Sequence, residues 1–155
     1  MVIKRSGAFT FVLCLGLATV AAFAVFAQPL VSPQAAPQVQ FLTAAELKAK
    51  LTNNEPVTVL DVRSGGDFGG SENKIKGAIH VKARKLQSRL AHPPLKNVSH
   101  DSEVVTYCAC PNDEAAIRAA QVLMSAGFKR VRALRGGWLA WKKTNGQVEA
   151  KPRGF

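Results

Sequence analysis

Two cysteines sit in the run Val104-Val105-Thr106-Tyr107-Cys108-Ala109-Cys110-Pro111-Asn112. Cys108 directly follows a short β-rich stretch that is apolar on both faces, the pattern of a strand covered on both sides. A helical pattern begins near Asp113. A sulfur between a strand end and a helix start meets unpaired backbone N–H groups and the positive end of the helix dipole. Both favour the thiolate, which is the nucleophilic form. The arrangement makes a nucleophile without a histidine base, although an inert buried thiol fits the same residues. Cys110 adds redox chemistry. With one residue between them, the two sulfurs can pair only in a short, strained disulfide, and strained disulfides are labile. Cys110 can resolve a persulfide or sulfenate on Cys108, or it can be a wall of the pocket. Two sulfurs with no nearby His or Met make a poor site for Cu(I). His80, His92 and His100 are scattered and no four-ligand spacing exists, so no metal site and no cofactor are expected.

The elements that must position these sulfurs alternate between strand and helix. Thr43-Ala44-Ala45-Glu46 matches a capping box opening a helix over roughly 44–51. Asn53 to Pro56 breaks it, and Val57 to Leu60 reads as a buried strand. Gly65, Gly66, Gly69 and Gly70 suggest a loose loop. Gly77 to Val81 reads as a second strand, and 84–91 as a helix stopped by Pro93-Pro94. After the strand Val104 to Tyr107, the clearest helix runs from about Asp113 to Ala126. Its polar stripe is Arg118, Gln121 and Ser125, opposite Ile117, Ala120 and Met124, and Gly127 is a natural left-handed cap. Val131 to Leu134 is another strand, and Gly136-Gly137 leads into a helix with Trp138 and Trp141. Alternation of this kind predicts an α/β fold, a small parallel sheet in three layers with helices on both faces.

The chain has 155 residues, of which 47% are hydrophobic and 20% charged, so it is neither disordered nor collagen-like. Three cysteines are too few for a disulfide-built scaffold. Lys4 and Arg5 precede an uncharged apolar run from Ala8 to Ala27, the pattern of a secretory signal peptide. Val25 and Ala27 are suited to a cut before Gln28, and the same run is long enough to remain as a membrane anchor. In both cases Lys4 and Arg5 stay in the cytoplasm and the folded part is periplasmic or otherwise exported. Residues 1–27 are therefore assigned to a signal peptide or N-terminal membrane anchor, which gives residues 8–27 a membrane association. Residues 28–40 form a Pro-rich linker, 41–146 the folded domain, and 147–155 a basic tail outside the core. The net charge is +11, with basic clusters at 82–89 and 129–135. They are either solvated surface or a field that attracts anionic donors or membranes; export argues against nucleic acid as a partner.

Three motifs carry a resemblance that covers about residues 41–146. They are Leu60-Asp61-Val62-Arg63-Ser64; then Ile75-Lys76-Gly77-Ala78-Ile79; then Tyr107-Cys108 followed by Arg118-Ala119-Ala120-Gln121-Val122-Leu123, Gly127-Phe128, Val131 and Gly136-Gly137-Trp138-Leu139-Ala140-Trp141. In this order and at these distances the chain resembles the rhodanese-like sulfurtransferases. The Tyr-Cys-x-Cys-Pro form also resembles a subgroup with a longer active loop. The resemblance implies that a cysteine thiolate takes sulfur from a small sulfane donor, becomes a persulfide, and passes the sulfur to a thiol or other thiophilic acceptor. It implies that backbone amides of the loop (Ala109, Cys110, Pro111, Asn112, Asp113, Glu114) hold charge, and that Asp61 and Arg63 are structural support. The loop departs from the family in having no Arg or Lys and two carboxylates. Slower reaction with dianionic thiosulfate than with a neutral or thiol-bound persulfide donor is therefore expected. Counting from the strand makes Cys108 the nucleophile; counting back from Arg118-Ala119-Ala120-Gln121 places Cys110 at the family distance. The strand end favours Cys108, with Cys110 as secondary candidate. A second reading is a non-catalytic or thiol-redox binding module using the same two cysteines.

Overall fold

The computed structural model describes residues 38–152. The expected leader and nearly all of the expected linker lie outside the described residues. Among the described residues no helix is long and apolar enough to cross a membrane.

The chain runs β1 (Gln40–Leu42), α1 (Ala44–Thr52), β2 (Val57–Asp61), α2 (Gly65–Gly69), β3 (Asn73–Ile75), β4 (Ile79–His80), a 3₁₀ turn Ala83–Lys85 into α3 (Leu86–Arg89), β5 (Glu103–Tyr107), α4 (Glu114–Ser125), β6 (Arg130–Leu134), α5 (Gly137–Lys143) and β7 (Val148–Ala150). A parallel five-stranded sheet has the order β1-β6-β5-β2-β4. The expected three-layer α/β architecture is present. Residue alternation along the strands divides the core in two. Leu60, Val104, Val131 and Ala133 pack with Leu86, Ala116, Ala119, Ala120 and Leu123 under α3 and α4. Val59, Val105, Tyr107 and Leu134 pack on the other face with Leu47, Trp138 and Trp141 of α1 and α5.

The capping box forms as expected: Thr43 Oγ1 accepts from Glu46 N, and the Glu46 carboxylate accepts from Thr43 N at 2.7 Å. The buried face of α4 is Ala116, Ala119, Ala120 and Leu123, with Ile117 and Met124 only partly covered. The expected stripe was displaced because it weighted large apolar residues, whereas alanines make the face that lies on the sheet. The Gly65–Gly70 stretch is not a loose loop. Ser64 Oγ accepts from Asp67 N at 3.0 Å, a side-chain cap, and buried Phe68 anchors the short helix.

Residues 147–155 were expected to be a tail outside the core; the described part adds no core residue but is a paired strand and not a free tail. β7 pairs antiparallel with β3, Asn73 to Ala150 and Ile75 to Val148. Trp141 Nε1 donates to Gln147 O at 3.2 Å, Lys74 pairs with Glu149, and Lys151 Nζ donates to Phe68 O at 2.7 Å. The segment is held by main-chain bonds and by lysines whose charge looked like solvated surface. β1 and β3 were missed for the same reason: three-residue strands are too short to show a period.

Candidate active site

β5 is central in the sheet, and Tyr107 is its last residue. Cys108 therefore emerges at the carboxyl end of the sheet, where parallel α/β folds bind ligands. Its side chain is buried, with 1% of its surface exposed, and it belongs to the core cluster that includes Val62, Val81 and Ala116. Cys110 is half-buried and bonded to Cys108 as a disulfide, with the two Cα atoms 5.7 Å apart. The two candidate nucleophiles thus share one place. Ala115 N, in the first turn of α4, lies 3.5 Å from Cys110 Sγ.

The loop between β5 and α4 is braced by the start of α5. Trp138 N donates to Cys108 O at 2.8 Å, and Gly136 N donates to Asp113 Oδ2 at 2.8 Å. Gly137 sits between these two contacts at φ +46, and a Cβ there would lie 2.2 Å from Cys108 O. The main chain of α5 approaches the loop after β5 so closely that only glycine fits.

The amide set expected to hold charge is smaller than residues 109–114. Pro111 has no N–H to give, and Asp113 N is already donated to Cys110 O at 3.3 Å. The two loop carboxylates each have a partner in the fold, although Asp113 Oδ1 is buried without one. Asp113 adopts a left-handed conformation at φ 54 and is buried, turned toward Gly136 N. Glu114 pairs with Arg118 at 3.2 Å, four residues on.

Below the loop, Asp61 and Arg63 are both fully buried. Arg63 Nε lies 2.9 and 3.0 Å from the two Asp61 oxygens, and Nη2 lies 2.6 Å from Oδ2. Tyr107 O–H donates to Asp61 Oδ2 at 2.6 Å and accepts from Ile75 N at 3.2 Å. The guanidinium lies 4.6 Å from the Trp138 ring centre and also faces Phe68 and Tyr107. Burial alone would raise the Asp61 carboxyl; the contacts of His80, Arg63 and Tyr107 outweigh it and hold the group below its ordinary value. Burial, with the Asp61 carboxylate beside it, pushes the Tyr107 phenol far above its ordinary value. This ion pair fixes Tyr107, the neighbour of Cys108, and Trp138, which binds the Cys108 carbonyl.

Sequence reasoning treated Lys82 and Arg84 only as part of a charge cluster. Both line a cleft of about 470 Å³ with Val62, Ser64, Gly65, Gly66 and Ala115, at the carboxyl end of the sheet. A neighbouring hollow of about 260 Å³ carries Lys82, Lys85 and Arg89 beside Phe68 and His80. The second basic cluster lies elsewhere: Arg130 and Arg132, at the start of β6, pair with Glu103 at the start of β5. The signal that separates the clusters is position. Residues 82–85 directly follow a parallel strand, whereas Arg130 and Arg132 lie at or near the start of one.

A model of the rhodanese-like domain matches residues 43–144. The chain is 32% identical over 130 residues to a putative thiosulfate sulfurtransferase, SseB, of Mycobacterium tuberculosis, covering 70% of this chain and 45% of that protein. It thus spans less than half the length of that curated relative. It is 27% identical over 105 residues to a sulfurtransferase of Allochromatium vinosum, covering 68% of this chain and 90% of that one. The crystal structure of the Alr3790 protein from Anabaena aligns with a TM-score of 0.60 and 32% identity over 71% of this chain and 82% of that one. The motifs, the strand order and these matches agree, and the chain belongs to the rhodanese-like domain family.

Proposed function

We propose that the domain is an exported sulfurtransferase that moves sulfane sulfur through a persulfide on Cys108. The observation that carries this reading is the cleft. Cys108 directly follows the central strand, and a cleft at the same end of the sheet shares Val62, Ala83 and Ala115 with the apolar cluster around Cys108. Lys82 and Arg84 line it together with Ala115 of α4. An anionic sulfur donor is attracted there by two cations that the loop itself lacks.

In the reduced protein the Cys108 thiolate attacks the outer sulfur of a thiosulfate or thiosulfonate. An S–S bond forms at Cys108 Sγ, the donor's S–S bond breaks, and sulfite or sulfinate leaves with the electron pair. A thiol acceptor then attacks the outer sulfur and Cys108 leaves as thiolate. Loop amides and the first turn of α4 stabilise the anionic sulfur. Asp61, Arg63 and Tyr107 act by holding the loop's supports.

Mass spectrometry after donor treatment of the reduced protein tests the assignment. The added sulfur is expected on Cys108 in Cys110→Ser, where no second thiol can displace it, and no sulfur is gained by Cys108→Ser. Sulfur retained in Cys108→Ser and lost in Cys110→Ser reverses the roles. Export is part of the proposal and rests on Lys4, Arg5 and the uncharged run Ala8–Ala27. It also leaves open an anchor through residues 8–27. Fractionation that finds the full-length chain soluble in the cytoplasm overturns it.

A further inference from the structure

We infer that Cys110 is a resolving thiol, so that the domain releases sulfur as hydrosulfide and ends its turnover as the Cys108–Cys110 disulfide. The inference rests on the transfer through Cys108 proposed above and specifies where the sulfur goes when no external acceptor takes it.

Three observations carry it. The two sulfurs are bonded, so Cys110 Sγ reaches Cys108 Sγ within the folded loop, across one intervening residue. Ala115 N points at Cys110 Sγ from 3.5 Å, a donor aimed at the sulfur that must act as a thiolate. The two cysteines differ in access: Cys108 is 1% exposed, whereas Cys110 is only partly buried. A pocket wall would need none of these features.

The step balances as follows. The Cys110 thiolate attacks Cys108 Sγ of the persulfide. The Sγ–Sγ bond forms, the bond from Cys108 Sγ to the outer sulfur breaks, and the outer sulfur leaves as hydrosulfide with its proton. That sulfur gains two electrons, one from each cysteine. Resetting needs a dithiol. Its first thiolate attacks the less buried Cys110 Sγ and expels Cys108 as thiolate; its second thiolate attacks the mixed disulfide and frees Cys110. One dithiol is oxidised for each sulfane sulfur reduced. The access difference gives this order, because the reductant meets Cys110 first and the nucleophile is the group released. An internal thiol acts at an effective concentration on the order of millimolar or more. Against about 0.1 mM external thiol, internal resolution is therefore faster by about tenfold.

A single-turnover experiment tests it. The full chain is reduced, freed of reductant and mixed with one equivalent of thiosulfate or an aromatic thiosulfonate. Sulfite or sulfinate, hydrosulfide and protein mass are then followed. The wild type is expected to release hydrosulfide in step with sulfite or sulfinate and to finish two hydrogens lighter. Cys110→Ser is expected to release the same first product, keep the added sulfur, and give hydrosulfide only when dithiol is supplied. A wild type that keeps the added sulfur while the first product is released overturns the resolving role and leaves the transfer intact. Failure of every protein to release sulfite or sulfinate overturns the transfer, and this step with it. Hydrosulfide from Cys110→Ser at the wild-type rate also overturns it.

Discussion

Gly137 leaves no room for a side chain beside the Cys108 carbonyl, and replacing it by alanine measures what that close packing contributes. The added Cβ would lie 2.2 Å from Cys108 O and 3.1 Å from Cys108 C, where backbone rather than a mobile side chain must move. Two costs add. A left-handed conformation costs a residue with a Cβ about 1–2 kcal/mol, and Gly137 sits at φ +46. Forcing a methyl into a packed region costs about 1–3 kcal/mol more. The expected loss is about 2–5 kcal/mol, a urea midpoint shift of about 1 M or more for a slope of about 2 kcal/mol per M. Gly77→Ala is the internal control, since Gly77 has φ +74 and nothing lies within 4 Å of its Cβ position. It should lose only the conformational part, about 1–2 kcal/mol. Both proteins are unfolded in urea in the reduced state, so that the disulfide does not mask loop movement. Gly137→Ala should also slow sulfur uptake more than Gly77→Ala, because the displaced carbonyl belongs to Cys108, the proposed nucleophile. Equal midpoint shifts for the two variants would refute the close-approach argument.

Other expectations follow from the same geometry. Asp61→Asn leaves the buried Arg63 guanidinium uncompensated and should cost about 3–5 kcal/mol in chemical denaturation. Because the Asp61 carboxyl is held below its ordinary value, its contribution is complete above the unfolded carboxylate range, about pH 4, and is lost as pH falls through the folded value. Acid titration of stability should therefore be shallower in Asp61→Asn, and an unchanged slope would contradict the assignment. Arg84→Ala and Lys82→Ala should raise KM for thiosulfate by roughly 3- to 10-fold while leaving a neutral persulfide donor nearly unaffected, the scale of one screened charge contact; equal effects on both donors would remove the cleft from the site. Truncation after Gly146 removes β7 and the Gln147 and Lys151 contacts. It should cost about 2–4 kcal/mol, at about 1 kcal/mol per lost hydrogen bond, and a loss below about 0.5 kcal/mol would show the segment to be surface decoration.

Much of the fold was legible because its elements are long enough to show a period or carry a cap. Thr43 and Glu46 announced α1, the two-faced apolar runs announced β2 and β5, Val131 to Leu134 read as the strand β6, and Gly127 marked the end of α4. What could not be read depends on distant partners. β1, β3 and β7 are three residues each, and their stability comes from main-chain bonds to strands far along the chain. Residues 65–69 look like a flexible glycine run until Ser64 and Phe68 are seen to hold both ends of a helix. The pairing of Asp61 with Arg63 was legible through resemblance, but the role of Tyr107 was not. Its hydroxyl meets Asp61 across 46 positions of sequence.

The site shows the same division between local pattern and distant contact, and it bears on the chemistry. Locally, the loop after Cys108 reads as acidic, which argues against an anionic donor. In the fold, Asp113 turns inward to Gly136 N, Glu114 lies beside Arg118, and the cleft wall presents Lys82 and Arg84 from another strand-to-helix connection. Cations on the β4–α3 connection can attract a donor without lying over the sulfur. The loop, which carries no basic residue, is then left to hold a second thiol. That cysteine requires a short loop path with no large side chain between the sulfurs, and Ala109 supplies it. Replacing Cys110 by arginine should therefore exchange one function for the other. Cys110→Arg is expected to raise kcat/KM for thiosulfate, by up to about 10-fold for one added favourable charge, and to abolish hydrosulfide release without external thiol. An Arg variant that still releases hydrosulfide at the wild-type rate would show that the second sulfur was never part of the turnover.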